Sequence, residues 1–430
     1  MTRTQRIQAR QLIPGRGAPI TDGVVVLDGE TITYAGPATG APDTPHADVT
    51  VCDTVMPGMW DAHVHLMGVA DLRLDRVATH RSEPAMLRVA SDAGKALRMG
   101  FTSLREVGGR GVHVELVRRE GLVRAPRVYS SNAILSTTAG HGDLHDLPLE
   151  MVERFGAEGG LLQIADGVPE VLKAVRRQLR LDAKLIKICA SGGVLSEVDH
   201  PLHQQFSGEE LRAIVEEAAR AERIVAAHCH GEAGIEAAIE AGVHTIEHGT
   251  YLTSDTAAAM VERDMVLVPT RTIVDTLFHG SSAGEGGATD RMMAKGRAIT
   301  ARHQHAIEIA IAAGVTIAAG TDLGISATGH PLQFGGNARE LELLVELGMT
   351  PLQAIESATA TGPLTLGPQA PVSGQLIAGH DADVLALTTD PLRDIATLRD
   401  PASILGVWLA GERAVTSRDG IPELAPLPLR

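Results

Sequence analysis

Leu185-Ile186-Lys187-Ile188-Cys189-Ala190 is an apolar run of strand length interrupted by a single cation. An ammonium group in such a run is costly to desolvate, so Lys187 must lose its proton, pair with an acid or be chemically converted. A neutral lysine amine can add carbon dioxide to form a carbamate, an anionic ligand with two oxygens able to bridge two metal ions. Lys184, at the start of the same segment, is expected to reach solvent.

On either side of this run the chain repeats one pattern. Apolar segments near residues 55–66, 101–107, 127–135, 185–190, 224–229, 245–249, 266–270 and 316–321 alternate with amphipathic stretches. Gly208-Glu209-Glu210-Leu211-Arg212-Ala213-Ile214 opens one such helix, with an acidic first turn and an apolar stripe of helical period. Strands alternating with helices predict a parallel sheet wrapped by helices, and eight strands close it into a (β/α)8 TIM barrel, an α/β fold. Active sites of that fold form where strands end and loops begin, so each polar residue is judged by its height on its strand. Gly23-Val24-Val25-Val26-Leu27-Asp28-Gly29-Glu30 reads as a hairpin with an Asp-Gly turn, and residues 377–387 and 404–412 repeat that strand and turn character. The two ends are therefore expected to meet in a small β-sandwich domain, residues 1–56 with 369–430, flanking a barrel over 57–368.

Three His-x-His pairs occur, and their context separates them. Alternate side chains of a strand share a face, so His63 and His65 both point inward while Val64 faces the helices, and two imidazoles can grip one metal ion. His303 and His305 lie in a helical stretch, where residues two apart face different ways, and read as surface. His228 ends a strand at a suitable height for a ligand, while His230 reads as already in the loop. His248 repeats the form of a strand, a histidine and a glycine; His244 and Glu247 beside it read as structural. Asp322 ends the apolar run Ala318-Ala319-Gly320-Thr321, where a carboxylate is seldom tolerated without a cation; the competing reading is a helix N-cap.

Composition narrows the function class. The net charge is -15 with no clustered Lys/Arg tract, which disfavours nucleic acid and anionic membranes, and an aromatic content of 2% leaves few surfaces for stacking bases. Met1-Thr2-Arg3-Thr4-Gln5-Arg6 lacks the apolar stretch of a secretory signal and no later run is long enough to span a bilayer, so a cytoplasmic location is expected. Cys52, Cys189 and Cys229 have no metal or redox spacing and read as reduced, buried thiols.

Met56-Pro57-Gly58-Met59-Trp60-Asp61-Ala62-His63-Val64-His65, Gly100-Phe101-Thr102-Ser103-Leu104-Arg105-Glu106-Val107-Gly108-Gly109, Ala227-His228-Cys229-His230-Gly231, Ile246-Glu247-His248-Gly249-Thr250 and Gly320-Thr321-Asp322-Leu323-Gly324 together resemble the amidohydrolase superfamily. The likeness is to its branch of Xaa-Pro dipeptidases, carboxypeptidases and ochratoxin amidases. It implies that His63, His65 and Asp322 bind one divalent metal ion, that His228 and His248 bind another, and that carboxylated Lys187 bridges them. Zinc is favoured over cobalt, manganese or iron. The same likeness implies a metal-bound hydroxide nucleophile, with Asp322 shuttling its proton to the leaving nitrogen. His141, in Gly140-His141-Gly142, would contact the substrate carbonyl, and Asn337, in Phe334-Gly335-Gly336-Asn337, would also touch substrate. Arg271 stands where relatives have an apolar residue and could bind a substrate carboxylate; the alternative is a solvated surface arginine. The expected reaction is hydrolysis of a linear amide in a dipeptide or N-acyl amino acid, by a protein that forms homo-oligomers. A mycotoxin amide, carbamate or urea is the next reading, a cyclic amide the third, and a non-catalytic scaffold the alternative from another class.

Overall fold

The structure, a computed structural model, describes residues 4–278 and 289–416. Met1, Thr2, Arg3 and residues 417–430, part of the sequence readings of the two ends, lie outside the described residues. The strands Leu323–Ile325, Met59–Val69, Phe101–Glu106 and Arg127–Ser130 form one parallel sheet. A second parallel sheet runs in the order Thr316–Ile317, Val266–Val268, Thr245–His248, Val225–Cys229, Ile186–Cys189, Ile134–Ser136 and Leu162–Ile164. Backbone bonds join the two at both seams, Lys184 N to Ser130 O at 2.8 Å and Ala62 N to Ala319 O at 2.8 Å, and so close the barrel.

All eight expected strands are present, with three differences of detail. The 55–66 run divides at Gly58: Asp48–Pro57 belongs to another sheet, and Met59–Val69 is the first barrel strand. The third strand breaks between Ser130 and Ile134, where Asn132 has a left-handed backbone (φ 62°). The eighth breaks between Ile317 and Leu323, around Gly320, where a Cβ would come within 2.4 Å of Val268 and 2.8 Å of the His63 side chain and only glycine fits. Leu162–Ile164, three residues long, is too short to leave a periodic signal.

Chain ends meet in a seven-stranded mixed sheet ordered Glu412–Thr416, Ile404–Leu409, Val384–Leu387, Asp48–Pro57, Gln5–Leu12, Ile20–Asp28, Thr31–Pro37. The expected hairpin is there, with Asp28 paired to Thr31, so its turn residues are Gly29 and Glu30. Gly208–Arg220 is helical and is capped by Ser207, whose hydroxyl accepts from Glu210 N while the Glu210 carboxylate accepts from Ser207 N. Apolar faces of the helices pack on outward residues such as Val64, Ile186, Ile188, Ala227 and Ile246 in one large core. Alternation then turns His63, His65 and Lys187 into the barrel. Among the described residues no helix is long and apolar enough to cross a membrane.

Candidate active site

One cavity opens at the C-terminal strand ends and is lined by His63, His65, His141, Lys187, His228, His230, His248 and Asp322. These eight residues come from the first, third, fourth, fifth, sixth and eighth strands or the loops that follow them. Two of them sit where the chain leaves its strand in a left-handed conformation, His248 at φ 69° and Asp322 at φ 60°. Such a backbone costs on the order of 1–3 kcal/mol in a non-glycine residue and is typical of functional sites.

Hydrogen bonds behind the rings decide which nitrogens face inward. His63 Nδ1 donates to Glu247 Oε2 at 2.6 Å and His65 Nδ1 donates to the Gly108 carbonyl at 2.8 Å. Their Nε2 atoms then carry lone pairs, 3.6 Å and 3.2 Å from Asp322 Oδ1. His230 and His248 hold Nδ1 against Thr250 and Thr270 hydroxyls, both at 2.7 Å. His228 Nε2 donates to the Gly192 carbonyl at 3.2 Å, so Nδ1 is its bare nitrogen. Two groups bring three ligand atoms within 4.8 Å of one another, His63 with His248 and Asp322, and His228 with His230 and His248. His63 Nε2 is buried without a hydrogen-bond partner among the described residues, as suits a lone pair reserved for a cation.

Glu247, expected to be merely structural, joins this support. Arg105 Nη2 donates to both Glu247 oxygens at 2.7 Å, and neither side chain is exposed at all. Arg105 also reaches the Ala62 carbonyl and Thr245 Oγ1, tying three strands behind His63. Burial acting alone would raise the Glu247 carboxyl; Arg105 and His63 outweigh it and hold the group well below the ordinary carboxylate range. Burial pushes Lys187 below the ordinary amine value, and no hydrogen bond from its Nζ is made among the described residues.

Other readings shift. His230 lies just past the strand end, as expected, yet still lines the cavity; the alternation rule applied to His63 and His65 would have placed it beside His228. His303 is fully buried, with Nε2 donating to the Pro269 carbonyl at 2.8 Å, and only His305 is a surface residue. Arg271 is turned away from the cavity: it is 3% exposed, begins the helix Arg271–Phe278, and its Nη1 donates to the Thr300 carbonyl. It is therefore not a solvated surface arginine. Asn337 is also outside the cavity lining, and its amide donates to Asp61 Oδ2 at 2.8 Å. Asp61 in turn accepts from the His63 and Thr321 backbone, so Asn337 braces the turn that carries Asp322.

Burial favours the neutral form of His63, His141, His228, His230 and His248. It lowers His63 and His141 to about 4 and His230 to about 3, and drives His228 and His248 well below the ordinary imidazole value. Unfolded histidines protonate near 6.5, so as pH falls from there to about 4 the unfolded chain binds more protons and stability is lost. Asp61, raised by burial to about 6, and Glu106 and Glu340, raised to about 7, act oppositely by taking up protons in the folded state over that range. Five histidines outweigh three carboxyls, so the melting temperature of chelator-treated protein is expected to drop between pH 6.5 and 4.5. A rise over that interval would contradict the sign.

A profile of the Amidohydrolase family matches residues 54–414, from the strand entering the barrel to the last strand of the terminal sheet. The chain belongs to the amidohydrolase family. It is 42% identical to the ochratoxinase of Aspergillus niger over 421 residues, covering 94% of this chain and 85% of that protein. The crystal structure of A. niger ochratoxinase superposes with a TM-score of 0.88 at 40% identity, over 96% of both chains. A prolidase solved in complex with N-methylphosphonate-L-proline superposes with a TM-score of 0.85 at 32% identity, over 95% of this chain and 99% of that one. This amidohydrolase is therefore a hydrolase of amide carbon–nitrogen bonds, and its histidine-rich cluster is a potential site for divalent metal ions.

Proposed function

We propose that this amidohydrolase cleaves the linear amide of an N-acyl amino acid or dipeptide that carries bulky apolar groups. The observation that carries this reading is the composition of the cavity: beside the histidine, lysine and aspartate cluster, Leu72, Leu144, Val194, Ile273, Leu277, Phe278 and Leu332 give it a mainly apolar lining, interspersed with charged side chains such as Arg73, Asp146 and Glu197. A pocket of that kind binds by apolar burial and orients by a few polar groups. Ochratoxin is the second reading, favoured by the 42% identity to ochratoxinase.

His63, His65 and Asp322 would hold one divalent ion and His228 and His248 a second, with Lys187 as a carbamate between them. The nitrogen and oxygen donor set suits zinc. Bound there, such ions supply a water of lowered pKa and polarise the amide carbonyl. Asp322 takes the proton of the attacking water and returns it to the leaving nitrogen, a transfer that its reach to the His63 and His65 edge permits. Glu247 and Arg105 keep His63 in the form that offers Nε2.

Lys187 supports the carbamate because burial favours its neutral amine, the form that attacks carbon dioxide with loss of one proton. Purified with bicarbonate, the wild type is expected to bind two metal equivalents and Lys187→Met no more than one, as read by elemental analysis of folded protein. Two equivalents in that variant would remove the bridging role. The substrate reading is tested by a screen of N-acyl amino acids, dipeptides, ochratoxin, carbamates and ureas with zinc, cobalt or manganese. Turnover is expected with apolar acyl amino acids; faster cleavage of carbamates or ureas would overturn the assignment.

A further inference from the structure

His141 enters the cavity from the loop after the third strand and stacks on His228, with ring centroids 4.3 Å apart. Its backbone N donates to Gln205 Oε1 at 3.1 Å, and its Nδ1 lies 3.0 Å from Ser196 Oγ. Gly193 makes this approach possible, because a Cβ there would fall 2.0 Å from His141 Nδ1. The direction of the His141 to Ser196 hydrogen bond follows from what else the serine touches. Ser196 Oγ is hydrogen-bonded to Asp199 Oδ1 and lies 3.3 Å from the Gly193 carbonyl, and both of these partners can only accept. The single hydroxyl hydrogen is therefore spent on an oxygen, and the serine meets the imidazole as an acceptor. Asp199 is held as the end of this chain by Gly193 N, which donates to Oδ2 at 2.6 Å, and by Lys295 Nζ at 3.6 Å from Oδ1. The same Lys295 ammonium donates to the Gly193 and Ser196 carbonyls at 2.7 and 2.6 Å, which fixes the loop.

We propose that Ser196 and Asp199 are positioning residues that lock neutral His141 in its Nδ1–H form, so that an unprotonated Nε2 faces the substrate. The inference rests on the amide-hydrolase reading of this cavity and sharpens it. A ring in that form accepts a hydrogen bond and has no hydrogen to give a carbonyl oxygen. The substrate class it selects carries an N–H or O–H donor close to the scissile bond, and the carbonyl contact implied by the family resemblance is replaced by this one.

Nitrogen-15 histidine spectra of the zinc-loaded protein test the proposal directly, since the shifts of the two ring nitrogens show which is protonated. The His141 signals are identified by their loss in His141→Gln. Wild type is expected to show Nδ1 protonated. In Asp199→Asn the new amide faces Ser196 Oγ as a donor, the hydroxyl hydrogen is shared between the Gly193 carbonyl and the ring, and His141 is expected to gain a population in the Nε2–H form. Ser196→Ala loses the lock without disturbing the Gly193 and Lys295 contacts, giving a mixture of forms, and Ser196→Thr restores the wild-type form. These two serve if Asp199→Asn does not fold. Nε2–H in wild type, or an unchanged ring in both Asp199→Asn and Ser196→Ala, overturns the proposal. In kinetics, Asp199→Asn is expected to lower kcat/KM about 10–100-fold for an amide bearing the donor, and much less for its N-methyl or O-methyl counterpart. Equal losses on both also count against it. The spectra need no turnover, so expected ring forms together with a failed amide screen would overturn the proposed function and leave the locked histidine supported.

Discussion

Asp322→Asn is expected to fold, to keep metal near the wild-type level and to lose about 10²–10⁴-fold in kcat. Asparagine preserves the side-chain oxygen that faces His63 and His65, but it cannot take a proton from water and return it to the leaving nitrogen. Removal of a positioned acid–base group typically costs that factor. The loss should appear in kcat and kcat/KM together, with KM little changed, because the missing step occurs only in the transition state. Elemental analysis beside steady-state kinetics separates this outcome from simple metal loss. A variant within about twofold of wild type, fully loaded, would remove Asp322 from the proton path.

Glu247→Gln is expected to act on stability and metal affinity at once. Arg105 is completely buried and directs Nη2 at both Glu247 oxygens, so a neutral partner leaves an uncompensated guanidinium inside the barrel. Breaking such a pair costs about 3–5 kcal/mol, read from the midpoint of denaturant unfolding of metal-free protein. The same change loosens His63 and should weaken metal binding about 10–100-fold in a chelator competition. Adding Arg105→Met is expected to recover much of the stability, since it removes the stranded charge, but not the metal affinity. A loss under about 1 kcal/mol for Glu247→Gln would mean that the ion pair matters little to the barrel.

The barrel was legible because its strands are buried on both sides, which leaves apolar runs such as 185–190 and 224–229 conspicuous between helices. The cluster was legible for a related reason: a charged or metal-binding side chain inside such a run has few bland explanations, as with Lys187, His63 and Asp322. The partners of Arg271 and Asn337 were not legible because what a side chain does just past a strand end depends on the path of the next few residues, which no periodicity records. At Arg271 the chain turns straight into a helix, and the guanidinium is carried toward Thr300. Glu247 was set aside because its partner Arg105 is 142 positions away, and only closure of the barrel brings them together.

The terminal sheet has a consequence for synthesis on the ribosome. Asp48–Pro57 continues almost directly into the strand bearing His63, yet its neighbour on one side, Val384–Leu387, is made over three hundred residues later. Trp408 Nε1 reaches Gln5 Oε1 across a separation of 403 positions, and Gln5 Nε2 reaches the Gly411 carbonyl across 406. A nascent chain therefore emerges with a strand edge whose partner is made more than three hundred residues later. Contacts so distant in sequence slow folding and lengthen the exposure of that edge to other chains. Shielding during translation should accordingly matter more to the yield of native protein than the final stability does.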